Sequence, residues 1–189
     1  MNYFTIILIF MALTVNYFKI TEKWSYFIAQ INIINVLLVT IYLVVSQIVL
    51  FLTGLGIGHL ITPMFKQNTF LISFVLLILL SSKMIYYSIK GDKVKQIINP
   101  LNNVALVGLS IGAGINTLII GLFFSFFEIK YYSVILAMSV ITFIFTLLGV
   151  FLGRKSKRLI SIKLEFLGGV ILLGVGLKIL IDHFLLNLS

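Results

Sequence analysis

The sequence contains no cysteine. Disulfides, thiolate-bound zinc, iron–sulfur clusters and thiol nucleophiles are therefore excluded. Acid is scarce as well. Five Asp and Glu stand against fourteen Lys and Arg in 189 residues, and charged residues make up 10% of the chain. A soluble domain averages about a quarter charged. The two histidines, His59 and His183, lie far apart and share no metal-ligand spacing. Neither a nucleophile–base pair nor a glycine-rich phosphate loop occurs, so an enzyme is not expected and no cofactor is implied. Asp92, Glu128 and Asp182 sit in or beside loops, and no carboxylate falls at the centre of an apolar run.

What the chain has in abundance is apolar surface: 61% hydrophobic residues and a mean hydropathy of +1.21. A water-soluble fold of this size cannot cover that much apolar area, whereas a lipid bilayer can. Six apolar runs are of membrane-crossing length: Tyr3 to Phe18, Ile31 to Ile61, Thr69 to Ile89, Val104 to Phe127, Tyr132 to Leu152 and Leu164 to Leu186. Lys19, Glu22 and Lys23 are read as closing the first. Spanning backbone must satisfy its own hydrogen bonds, and no alternating strand pattern occurs, so each run is expected to be a helix. The first run lacks a basic lead-in and a small-residue cleavage site, so it is expected to remain in the mature protein.

Net charge is +9. No soluble basic domain carries it, so nucleic acid is not expected as a partner. In a membrane chain, Lys and Arg gather in cytoplasmic loops. Loops one–two, three–four and five–six hold ten: Lys19, Lys23, Lys90, Lys93, Lys95, Arg154, Lys155, Lys157, Arg158 and Lys163. The opposite side holds two, Lys66 and Lys130. The chain should thus be a multi-pass protein of the cytoplasmic membrane with both termini outside the cytoplasm. Nothing in the spacing points to a particular number of subunits.

The two halves look related. Gly54 and Gly58 recur 95 residues later as Gly149 and Gly153, and Lys83 recurs as Lys178. Asn16 recurs 100 residues later as Asn116. Three helices per half reverse the direction of the second half. The expected fold is all-α: one integral membrane domain, a six-transmembrane-helix bundle made of two inverted three-helix repeats, residues 1–95 and 96–189. Transporters built this way hold their substrate near the midplane, between repeats.

Asn16 and Asn116 are the leading site candidates, as amides about 20 Å inside their spans. A buried amide must find partners, so each should face the bundle. They either line a midplane site or act as interhelical glue worth about 0.6–2 kcal/mol per bond. Gln47, with Ser46 and Thr40, adds polarity to the second span, as do Gln30, Asn32 and Asn35 near its start. Thr117 extends the fourth-span site. Gly108, Gly112 and Gly114 precede Asn116 and suit close helix packing. Glu165 opens the sixth run, either capping it through the helix dipole or standing at a cytoplasmic ion entrance. Lys83 and Lys178 are expected to snorkel to opposite interfaces.

These residues resemble those of the manganese efflux pump family (MntP-like), small six-helix exporters. The similarity is clearest in Thr146-Leu147-Leu148-Gly149-Val150-Phe151-Leu152-Gly153, in Leu164-Glu165-Phe166-Leu167-Gly168-Gly169 and in Gly176-Leu177-Lys178-Ile179-Leu180. Ser81-Ser82-Lys83-Met84 resembles the family's third-helix ending. The resemblance implies a secondary transporter of manganese or another small divalent cation, by alternating access. It also implies a path through Asn16, Gln47, Asn116, Thr117 and Glu165, with Asn16 and Asn116 as metal ligands. The family carries an aspartate where this chain has Asn16, another where it has Asn116, and often an acid where it has Gln47. Carboxylates supply the charge that offsets stripping water from a divalent ion. Two other readings follow from the change: a diverged transporter of another small solute, or a non-transporting membrane scaffold.

Overall fold

The computed structural model describes residues 3–28, 33–64, 69–90, 103–127, 129–153 and 159–188. Over these the chain forms six helices and no strand: α1 (Tyr3–Ile28), α2 (Ile33–Ile61), α3 (Thr69–Lys90), α4 (Asn103–Phe124), α5 (Tyr131–Gly153) and α6 (Leu159–Leu188). Even the 22-residue α3 and α4 reach about 33 Å, enough for a hydrocarbon core of about 30 Å. Among the described residues, five helices carry apolar stretches of crossing length, and α4 carries a shorter one, Ser110–Phe124. The outward faces are apolar: Leu38, Val49, Leu79 and Leu136 are all exposed. Lipid is the solvent that tolerates this, so the chain is a multi-pass membrane protein. Gln30, Asn32, Lys66, Lys93, Lys95, Glu128 and residues 154–158 lie outside the described residues.

Two element ends depart from the sequence expectation. The first run does not close at Lys19, because α1 continues to Ile28 with Lys19, Glu22 and Lys23 inside it. The reason is compensation across helices. Lys19 is buried and its ammonium lies 2.6 Å from Glu165 of α6. A charge ends a span when it must reach water, and a paired one need not. By the same contact Glu165 is not a cap, since α6 begins at Leu159 and Glu165 stands well inside the helix.

The helices pair closely as α1–α5, α2–α4 and α3–α6, with further contacts α1–α6, α2–α5, α3–α4 and α1–α4. Hence α1, α5, α2 and α4 form a closed ring, each touching the next, and the α3–α6 pair leans on α1 and α4. Glycines set the closest crossings. A side chain at Gly54 would meet the Leu118 carbonyl, and one at Gly58 would meet Ser125 and the Leu122 carbonyl. A side chain at Gly149 would meet Thr21 and the Phe18 carbonyl, and one at Gly153 would meet Ser25 and the Glu22 carbonyl. Small residues let backbones approach this closely in lipid. Contact positions rise together along both chains, so α2 runs parallel to α4 and α1 parallel to α5. Of the glycines before Asn116, Gly114 packs against Leu50, whereas Gly108 and Gly112 face open space. The close approach on α4 belongs instead to Gly121, set against the Phe51 carbonyl.

Candidate transport site

Serine and threonine in an apolar helix usually satisfy their hydroxyls on the carbonyl one turn back. Thr21, Thr40, Ser46, Ser73, Ser110 and Ser139 all do so here, at 2.7–3.1 Å. A second group behaves differently. The Asn16 amide nitrogen, both polar atoms of Gln47 and the hydroxyls of Thr142 and Thr146 are buried without a protein hydrogen-bond partner, and the buried Tyr17 and Thr117 hydroxyls have no neighbour but each other. Every one of these residues stands near the middle of its helix: α1, α2, α4 and α5, the four members of the ring. The Tyr17 phenol reaches α4, beside Thr117 and 3.5 Å from the position a Gly114 side chain would take.

This polar layer is closed on both sides by hydrocarbon. On one side lie Phe10 and Leu13 of α1, Phe51 of α2, Ile120, Phe123 and Phe124 of α4, and Met138 of α5. Phe10 stacks on Phe124 at 5.6 Å between ring centres, and Phe51 meets both rings edge-on at 6.3 and 5.9 Å. On the other side lie Val36 and Leu43 of α2, Ala113 of α4 and Val150 of α5, with the Tyr17 ring among them. Each unsatisfied buried polar group costs about 1–3 kcal/mol. Several at one level leave a set of polar atoms whose hydrogen-bonding capacity no protein group takes up. Amide and hydroxyl oxygens are hard ligands of the kind that suit Mg, Ca and Mn.

Of the sequence candidates, Asn16, Gln47, Asn116 and Thr117 fall in this layer or at its edge. Asn16 and Asn116 do not hydrogen-bond each other. The Asn116 carbonyl oxygen instead accepts a 2.7 Å hydrogen bond from the Lys83 ammonium of α3. Lys83 therefore does not snorkel away, since a half-buried ammonium is better served by an amide oxygen than by hydrocarbon. Lys178 is exposed. Glu165 lies off the layer: its partner Lys19 is three residues beyond Asn16 along α1, and their pair forms a neutral unit beside it. Among the described residues no group of three or more His, Asp or Glu side chains converges. His59 instead contacts Tyr131 of α5 at 3.3 Å. A surface groove bounded by Ser88, Ile162, Lys163, Phe166 and Leu167 opens between α3 and α6, and none of the layer residues lines it.

Tyr17, Thr142 and Thr146 are the layer residues that sequence reasoning missed. For Thr142 and Tyr17, though not for Thr146, the repeat offsets held a signal. Thr142 stands 95 residues after Gln47 and Thr117 stands 100 after Tyr17, the offsets that already relate the glycines and the asparagines.

Comparison with known proteins now bears on this geometry. The family model described as "Putative manganese efflux pump" matches residues 30–180. A relative from Rippkaea orientalis with that description is 28% identical over 176 residues, covering 93% of this chain and 94% of its own. One from Clostridium botulinum is 29% identical over 193 residues, covering 97% and 96%. One from Parabacteroides distasonis is 37% identical over 112 residues, covering 59% and 60%. No solved structure matches the chain.

Proposed function

This chain belongs to the manganese efflux pump family, and we propose that it is a secondary transporter exporting a small divalent cation through the polar layer. The observation that carries this reading is the layer itself. Buried polar groups of four mutually packed helices, most of them without a hydrogen-bond partner, stand at mid-length with apolar clusters on either side. An occluded state of an alternating-access cycle needs those features. The site comprises Asn16, Gln47, Asn116 and Thr117, extended by Tyr17, Thr142 and Thr146. Glu165, bound to Lys19, lines the approach on the side of the α1–α2 connection.

Two inverted repeats support the cycle. Exchanging α1 with α4, α2 with α5 and α3 with α6 turns the set of helix contacts into itself. The glycine crossings obey the same exchange. Gly54 on Leu118 becomes Gly149 on Phe18, and Gly58 on Leu122 and Ser125 becomes Gly153 on Glu22 and Ser25. The junction near residues 95 and 96 lies outside the described residues. Orientation rests on charge. Lys19 is withdrawn into its ion pair, and removing it from ten leaves nine basic residues against two. That bias still sets both termini outside the cytoplasm.

A second reading, export of another small solute, is favoured by one observation: the layer holds a lysine contact and no carboxylate. The scaffold reading is the poorer fit, because it calls for a satisfied midplane with the two asparagines bonded together. The test is intracellular manganese in an exporter-deficient, manganese-sensitive host. The wild-type chain should lower it, and Asn16→Asp with Asn116→Asp should lower it further. If wild type is inert and the double variant exports, the second reading is correct. If neither moves manganese although both reach the membrane, cation export is wrong.

A further inference from the structure

An ammonium inside a membrane needs acceptors, and it has three hydrogens to give. Lys83 has a flexible four-carbon stem and the water interface as its ordinary refuge. It points instead across the α3–α4 contact and donates to the Asn116 carbonyl oxygen at 2.7 Å. Asn116 is buried, and that oxygen is the one atom of its side chain that can ligate a cation. No carboxylate among the described residues is bonded to Lys83. The ammonium thus rests on the same neutral oxygen that a transported cation would require.

We infer that Lys83 is a tethered stand-in for the substrate cation, holding Asn116 in the unloaded state and leaving it when a metal ion enters. The inference rests on the cation-export reading above. The amide oxygen has two lone pairs, so what sets the two ligands against each other is charge: two cations sharing one oxygen repel strongly where the dielectric is low. Occupancy is therefore competitive. The two halves differ in this respect. Lys178, 95 residues after Lys83, is exposed and makes no hydrogen bond to Asn16. One amide is held by its lysine, and its counterpart Asn16 has a buried amide nitrogen without a partner. Entry of a divalent ion with withdrawal of Lys83 changes the charge at Asn116 by one unit rather than two, which eases burial of a metal without a carboxylate. Lys83 is then a residue that sets cation affinity.

The test is titration of the detergent-purified full chain with Mn²⁺ by calorimetry, comparing wild type, Lys83→Gln and Lys83→Arg. Lys83→Gln keeps a donor for Asn116 and loses the competing charge. It should bind Mn²⁺ at least about tenfold tighter than wild type. Lys83→Arg should stay at or below wild-type affinity. Equal or weaker binding by Lys83→Gln, with wild type binding, overturns the inference and leaves cation export standing. Failure of all three to bind Mn²⁺, with unchanged elution and melting, overturns both. Should Lys83→Gln not fold, Lys83→Met is measured in its place. Collapse of both variants would assign the ammonium a structural role and overturn the inference.

Discussion

A threonine in a membrane helix has a convenient partner in the carbonyl one turn back, which is why threonine costs so little there. Thr21 and Thr40 use it, and Thr142 and Thr146 do not. On the proposed function the difference separates structural hydroxyls from those of the transport path, and it can be tested by the same substitution at each place. Thr142→Val or Thr146→Val removes an unsatisfied buried oxygen, so each variant should be more stable by about 1 kcal/mol, read as a higher melting temperature in detergent. Each should also export less manganese. Thr40→Val, which deletes a satisfied hydrogen bond, should lose stability and keep transport. A melting temperature that falls in all three would remove the distinction. Four of the seven layer residues were legible at this scale. Asn16, Gln47, Asn116 and Thr117 stand out as polar groups within apolar runs. Thr142, Thr146 and Tyr17 do not stand out by polarity, and beyond the repeat offsets of Thr142 and Tyr17 nothing in the sequence marks them, because whether a hydroxyl is satisfied depends on its rotamer and on a neighbouring helix.

At the scale of the element, hydropathy located all six helices, since burial in lipid acts on every residue of a span alike. It misjudged where α1 ends and α6 begins, because those ends depend on Lys19 meeting Glu165 across 146 residues of sequence. The glycine pairs were legible as small-residue motifs, though not as partners: Gly54 and Gly58 face α4, and Gly149 and Gly153 face α1. Adding bulk at these crossings must push a backbone away. Gly54→Val and Gly149→Val should each destabilise by about 1–3 kcal/mol, the usual cost of overpacking. Both should do so to similar extents, because the two crossings are built alike. Gly112→Val, where a side chain meets open space, is the control and should stay near wild type. A loss at Gly112 as large as at Gly54 would contradict close packing as the cause.

The whole molecule is a ring of four helices with a polar layer at mid-length, braced by α3 and α6. On the proposed cycle the ring opens alternately at Phe10, Phe51 and Phe124 and at Val36, Leu43 and Val150. Family membership and the repeat offsets point to this cycle. The sequence could not reveal that the layer is enclosed, since enclosure is a property of side chains from separate helices. The absence of native cysteine makes one measurement direct. Thr142→Cys introduces a single thiol into the layer, and a membrane-impermeant methanethiosulfonate is applied from either face of oriented vesicles. The account predicts labelling from both faces, slowed by Mn²⁺ on each. A thiol that reacts from neither face, while a cysteine introduced at exposed Lys130 reacts readily, would mean a permanently dry core and would contradict transport through the layer.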